Sequence, residues 1–296
     1  HLIEAVPGRF DFSSVDRQFA AAKARAFPVI WDLIHYGIPD HIDIWAGDFS
    51  ARCAAFARAV AARLAATTDG DVWFCPINEI SFHAWGGGDV AYFNPFAQRR
   101  GTELKVQLAR AAIAMTRAIR RELPQARFIC AEPLIHVAPD PTRPGDVAAA
   151  QGHRLAQFEA TDMVLGRAWP QLGGSEDLID IVGVNYYHTN QWVHGGASLP
   201  HRDPQARPLA ALLCEVHARY GRPLMIAETG IEGDAAGVRG RVNPALTRIW
   251  HHGDLSATNR THPRNEARGR IRPDGRERQQ VGRRPTTPNG PPTRKS

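Results

Sequence analysis

Along roughly the first 230 positions, five short apolar runs stand out, at residues 28–34, 72–77, 127–131, 178–184 and 223–227. Runs such as Ile179-Asp180-Ile181-Val182-Gly183-Val184 are nearly continuous rather than alternating, which predicts strands covered on both faces. Between the runs the apolar spacing lengthens to a helical period, predicting helices over residues 15–26, 50–65, 103–122, about 148–169, and 209–220. Ser50 is placed to cap the second of these helices, and Pro124 to stop the third. Strand and helix alternate regularly, so the pattern predicts parallel βα units rather than a sandwich.

Polar residues follow the apolar runs: His35 and Tyr36, Asn78 and Glu79, Glu132, Asn185 to His188, and Glu228 and Thr229. All fall at strand carboxyl ends, where barrels and doubly wound sheets alike keep their chemistry, so placement alone leaves both architectures open. Two of these residues carry most of the functional signal. Glu79 closes Val72-Trp73-Phe74-Cys75-Pro76-Ile77-Asn78, and Glu228 closes Pro223-Leu224-Met225-Ile226-Ala227. An acid at the end of a buried strand is costly unless chemistry needs it. A pair of them is the minimum equipment for hydrolysing a glycosidic bond.

With 296 residues, 43% of them hydrophobic, the chain has material for one large core; a complete (β/α)8 barrel takes about 250 residues. The formal net charge of +6 is unevenly spread. Residues 238–296 hold 14 Lys and Arg against 4 acids, leaving 22 basic and 26 acidic residues in a mildly acidic body. From residue 251 onward only Leu255, Ala257, Ala267, Ile271 and Val281 are apolar, too few to offset the entropy of ordering, so a basic, disordered tail is expected. Three readings of that tail are open: an arm that binds nucleic acid or an acidic surface, a solvated tail without a partner, or a shift of reading frame near residue 238. It lacks the interleaved aromatics of a single-strand binder, which makes nucleic acid the less favoured partner. Cys53, Cys75, Cys130 and Cys214 are scattered and read as buried thiols of a reducing compartment, pointing to the cytoplasm. The sequence starts at His1, without Met and within an element, so absence of a leader carries little weight. No apolar stretch reaches the roughly 18 residues that would span a bilayer.

Around the two acids, Asn78 can hydrogen-bond a sugar hydroxyl and help position its neighbour, and Gly230 lets the chain turn sharply after Glu228. His35 offers an imidazole to a hydroxyl, or is a satisfied core histidine. Asn185-Tyr186-Tyr187 offers a phenol to orient a carboxylate, or packs as plain aromatics. Trp85 and Trp192, in loops after their strands, can stack on sugar faces or simply fill the loops. His136 follows Glu132 closely, but without a paired-histidine spacing no metal is expected, nor any cofactor.

Gly8-Arg9-Phe10-Asp11-Phe12, Leu33-Ile34-His35-Tyr36-Gly37-Ile38-Pro39, Pro76-Ile77-Asn78-Glu79, Gly183-Val184-Asn185-Tyr186-Tyr187 and Ile226-Ala227-Glu228-Thr229-Gly230 come in an order and rough spacing that resembles glycoside hydrolase family 1. That family comprises β-glucosidase-like retaining enzymes on (β/α)8 TIM barrels. The resemblance covers about residues 2–233 and implies Glu79 as general acid/base after the fourth strand and Glu228 as nucleophile after the seventh. It implies sugar-binding roles for His35 and Asn78, and for Tyr187, with Asn185 nearby, the holding of the nucleophile. Three positions depart from it: Ile80 replaces Pro, Tyr36 replaces Trp, and Thr229 replaces Asn. The resemblance further implies an α/β fold that is an incomplete barrel, strands three to seven plus the end of strand two, as a domain over 1–237 followed by the tail 238–296. The first strand, an arginine on the second and the eighth strand with its tryptophan would lie outside that body. The function expected is hydrolysis of a carbohydrate O-glycoside by double displacement; an inactive fragment or pseudoenzyme of the family is the alternative.

Overall fold

The computed structural model describes residues 3–26, 28–66, 71–200 and 202–230. The disordered tail expected over 238–296 lies outside the described residues. Among the described residues there are seven strands: β1 (Ile30–Asp32), β2 (Trp73–Cys75), β3 (Arg127–Pro133), β4 (His136–Ala138), β5 (Ile181–Asn185), β6 (Gln191–Val193) and β7 (Leu224–Glu228). The helices are α1 (Ser13–Ala24), α2 (Phe49–Ala65), α3 (Ile80–His83), α4 (Gly101–Glu122), α5 (Asp146–Leu155), α6 (Glu159–Val164) and α7 (Leu209–Tyr220).

All five predicted strands form, and they make one parallel sheet in the order β1-β2-β3-β5-β7. Each strand lies beside its predecessor with no reversal of direction across the sheet. A doubly wound sheet reverses at a switch point, whereas a barrel adds strands in one direction, so the architecture is an incomplete (β/α) barrel. Gly183 is needed where β5 crosses β3, because a Cβ there would stand 2.9 Å from Ile129 Cγ2 and 3.1 Å from the Ala131 Cα. β4 and β6 form a separate two-stranded parallel sheet that the apolar runs do not announce. At three residues each, these strands are too short to show a period.

The core joins the buried face of α4 (Leu104, Leu108, Ala111, Met115, Ile119) to that of α2 (Cys53, Ala57, Val60, Ala61, Leu64) and to Phe74 and Phe128 of the sheet. Small alanines on both helices let them approach closely and cover the strands. The expected cap at Ser50 is corrected: α2 starts at Phe49 with Asp48 in the cap position, and the Asp48 carboxylate accepts from Arg52 Nε at 2.8 Å instead of capping. Pro124 does follow the end of α4, with Leu123 pushed to an extended φ of −133° as a residue before proline should be.

The single helix predicted over 148–169 is broken into α5, a 3-10 turn (Ala156–Phe158) and α6. Gln157 explains the break. Its amide accepts from Ile135 N (2.9 Å) and donates to Ile135 O (3.1 Å) and Arg154 O (2.6 Å), pinning the turn to the exit of β3. The cysteine expectation also needs a correction: Cys53, Cys75 and Cys130 are buried, but Cys214 is exposed on α7. No helix among the described residues is long and apolar enough to cross a membrane.

Candidate active site

Glu79 stands between β2 and α3, in a left-handed backbone conformation (φ 48°, ψ 58°) that a non-glycine residue adopts only when its surroundings impose it. Its surroundings do. Glu79 N donates to Ala131 O on β3 (2.9 Å), the preceding Asn78 N donates to Ile34 O after β1 (3.0 Å), and Glu79 O accepts from His83 N to open α3 (2.8 Å). The following turn is further clamped by Glu132, whose Oε2 accepts from Ser81 N at 3.0 Å.

The Glu79 side chain is 7% exposed. Its Oε1 accepts from Asn185 Nδ2 (2.9 Å), and its Oε2 accepts from the Tyr36 hydroxyl. Burial raises its pKa above the ordinary carboxylate value and the charge of Glu228 adds to the rise; the donors Tyr36 and Asn185 and the field of His35 act the other way. Glu132, more deeply enclosed, is pushed up to about 7, first by burial and then by the charge of Glu79, against its bonds from Ser81.

Glu228 ends β7 and is only half-buried. Its Oε2 accepts from the Tyr187 hydroxyl at 2.9 Å, and its backbone O accepts from Tyr186 N at 2.9 Å. The Tyr187 phenol is pushed up to about 12 by burial, by its bond to Glu228 and by the charge there. A register shift between Val184 and Asn185 sets Asn185 opposite Glu228. Asn185 and Tyr187, two residues apart at the end of β5, thus reach different carboxylates: the first Glu79, the second Glu228.

The sequence-predicted residues are therefore brought together unevenly. Glu79, Asn78, Asn185, Tyr187 and Glu228 gather at the carboxyl ends of β2, β5 and β7. Asn185, expected near the nucleophile position, instead places its amide on Glu79 and, at 3.3 Å, on Asn78 Oδ1. His35 lies at the mouth, its Nδ1 2.8 Å from Asp32 Oδ2 and its ring edge against Tyr36. Trp85 is exposed on a π-helical turn (Ala84–Asp89), in ring contact with Phe82 and Tyr92. Trp192 is corrected from loop to strand: it is the middle residue of β6, with its ring edge toward His153. Trp192 makes none of the ring contacts or hydrogen bonds described around the carboxylates.

Three residues of this site carry no role predicted from the sequence: Tyr36, Asp32 and Glu132. Glu132 was legible, since it closes its strand as Glu79 and Glu228 close theirs. Tyr36 was visible only as a departure from a pattern, because its contact with Glu79 spans 43 positions. Among the described residues no group of three or more His, Cys, Asp or Glu is gathered as a metal would require, and His136 Nε2 faces Gln205 O at 3.1 Å.

The fold is that of a glycosidase-like barrel, with carboxylates at its strand ends. Solved structures that it resembles include β-glycosidases. The chain is similar to a β-glycosidase from Pyrococcus horikoshii (16% identity, TM-score 0.65, covering 85% of this chain and 66% of that one). It is similar to a β-glucosidase from Thermotoga maritima in complex with glucoimidazole (15% identity, TM-score 0.62, 76% and 60%). It is also similar to the virulence factor SghA from Agrobacterium tumefaciens (18% identity, TM-score 0.62, 81% and 65%). At these identities the likeness is one of fold. The chain spans roughly three fifths to two thirds of the length of these structures. No protein-family model matches the chain, and no curated protein matches its sequence.

Proposed function

We propose that this chain carries the site of a retaining β-glycosidase that hydrolyses O-glycosidic bonds, with Glu228 as nucleophile and Glu79 as general acid/base. The observation that supports this most is the shared tether: Asn185 and Tyr187 hold the two carboxylates from one strand end. One carboxyl is buried and shifted toward its protonated form and the other is half-buried beside a phenol donor, which is the division of labour the reaction needs.

In the first step Glu228 attacks the anomeric carbon, the bond to the leaving oxygen breaks, and the Glu79 proton passes to that oxygen. In the second, Glu79 takes a proton from water as its oxygen attacks the anomeric carbon, and the ester bond to Glu228 breaks. Retention calls for carboxyl groups about 5–5.5 Å apart. Asn78, His35 and, at the rim, Trp85 are proposed as sugar contacts; the position of Trp192 on β6 leaves it without a proposed role. Tyr187 orients the nucleophile and Asn185 the acid/base. The chemistry is assigned to residues 1–237, with 238–296 as a segment apart.

Because a similar SghA structure holds the substrate analogue salicin, an aryl β-glucoside is the natural probe. Release of 4-nitrophenol from its β-glucoside by the purified chain, with the β-anomer as first product, is expected, and Glu228→Gln should lower kcat/KM by about 10^4-fold or more. Equal rates for wild type and Glu228→Gln, or an inverted first product, defeat the proposal. One observation favours a second reading, a non-catalytic relative: among the described residues β1 and β7 each pair on one side only. That reading predicts no turnover from either protein.

A further inference from the structure

Tyr36 is the residue at which sequence pattern and structure disagree most usefully. The family resemblance expects tryptophan there, an aromatic without a hydroxyl. Here the phenol reaches across from the end of β1 to Glu79 Oε2. The ring is held for that purpose. Tyr36 has a left-handed φ of 63°, its ring stacks on Phe93 at 4.9 Å, and the edges of His35 (4.6 Å) and His83 (5.6 Å) and the tilted ring of Phe82 (5.7 Å) close around it. Phe93 can come so near because Gly86 leaves room; a Cβ on Gly86 would stand 2.3 Å from the Phe93 ring. A tryptophan indole could fill the same aromatic bed but would bring no hydroxyl to the carboxylate.

We propose that Tyr36 is a positioning residue for Glu79, its hydroxyl fixing one carboxylate oxygen while Asn185 fixes the other, so that each of the two strand-end carboxylates has its own tyrosine. The proposal rests on reading Glu79 as the acid/base. The partition is then Tyr36 with Glu79 and Tyr187 with Glu228. A donor on Glu79 favours its ionised form, the base of the second step, against burial and against the charges of Glu228 and Glu132. His35, at the mouth, acts in the same direction as Tyr36. The phenol in turn is held protonated, by burial and by the charges of Glu79, Glu228 and Glu132, so it remains a donor throughout the working pH range.

The test is the titration of the Glu79 carboxyl, followed by carbon NMR on protein labelled at glutamate side chains and assigned with Glu79→Gln, in wild type and Tyr36→Phe. Phenylalanine keeps the ring in its aromatic bed and removes only the hydroxyl. The Glu79 midpoint is expected to rise by about one pH unit or more, the loss of one charge-assisted hydrogen bond. If the chain turns over aryl glucosides, the alkaline limb of kcat/KM should move up with the carboxyl. Its kcat should fall when deglycosylation limits, and Tyr36→Trp should behave like Tyr36→Phe. A Glu79 midpoint unmoved by Tyr36→Phe overturns the proposal, whatever the turnover. A moved midpoint in a protein without turnover upholds the Tyr36 bond and defeats the glycosidase reading instead.

Discussion

The two carboxylates occupy contrasting ground. Glu79 follows an interior strand, with β1 on one side and β3 on the other, and its backbone, both oxygens and the turn after it are all held by named partners. Glu228 ends β7, the last strand of the described sheet, is half-buried, and has one side-chain donor. An acid/base must alternate between protonated and ionised forms in one position, so its surroundings have to be built on every side. A nucleophile needs a free oxygen facing the substrate, and one donor that fixes the other oxygen is sufficient. On the proposed assignment of Glu79 as acid/base, rigidity is placed where the proton moves.

The contrast breaks first at the level of packing. Phe74 on β2 is fully buried and stacks on Phe128 at a centroid distance of 6.1 Å, whereas Met225 on β7 is 36% exposed. Phe74→Ala is expected to lower unfolding stability by about 3–5 kcal/mol and Met225→Ala by well under about 1, read from denaturant midpoints. Equal losses would remove the distinction between a rigid interior and a lightly held edge.

A pH experiment sharpens it next. The folded pKa of Glu132, about 7, lies above its value of 4.5 in an unperturbed chain, so the folded state binds the extra proton. Its contribution is complete below about pH 4.5 and is lost as pH rises through about 7. Glu132→Gln, which cannot ionise, should therefore gain relative to wild type by up to about 3 kcal/mol between pH 4.5 and 8. Chemical unfolding of both proteins across that range checks the sign; parallel curves would mean that Glu132 titrates normally.

The smallest expected effect falls on Glu228, the proposed nucleophile. Tyr187→Phe removes the one side-chain donor to Glu228, a charge-assisted bond worth about 1.5–3 kcal/mol, so kcat/KM for an aryl glucoside should fall by about 10- to 150-fold. Because Asn185 holds Glu79 independently, the alkaline limb of the pH profile should stay in place. Movement of that limb would show that the two carboxylates are not separately held.

How much of this was legible follows from the range over which each feature is encoded. The five strands, and the acids closing three of them, were readable because apolar runs and strand ends are written into consecutive residues. Helix α7 was predicted residue for residue, Leu209 to Tyr220, with Gly221 ending it in a left-handed conformation (φ 62°). Missed features had another origin. The division of 148–169 depends on the Gln157 amide meeting Ile135, and β4 and β6 depend on each other.

The sequence by itself thus determined the alternation of strand and helix, the near-continuous strands that must be covered on both faces, and the presence of acids at their carboxyl ends. Local sterics and the need to bury apolar surface act on neighbours in the chain, so these leave a periodic trace. Only the tertiary structure decided that the strands follow one another without reversal, that Asn185 serves Glu79 while Tyr187 serves Glu228, and that Tyr36 turns its hydroxyl to Glu79. Those are meetings between strand ends 41 to 106 positions apart, set by register and by a bulge, and a hydrogen bond at that separation has no period to read.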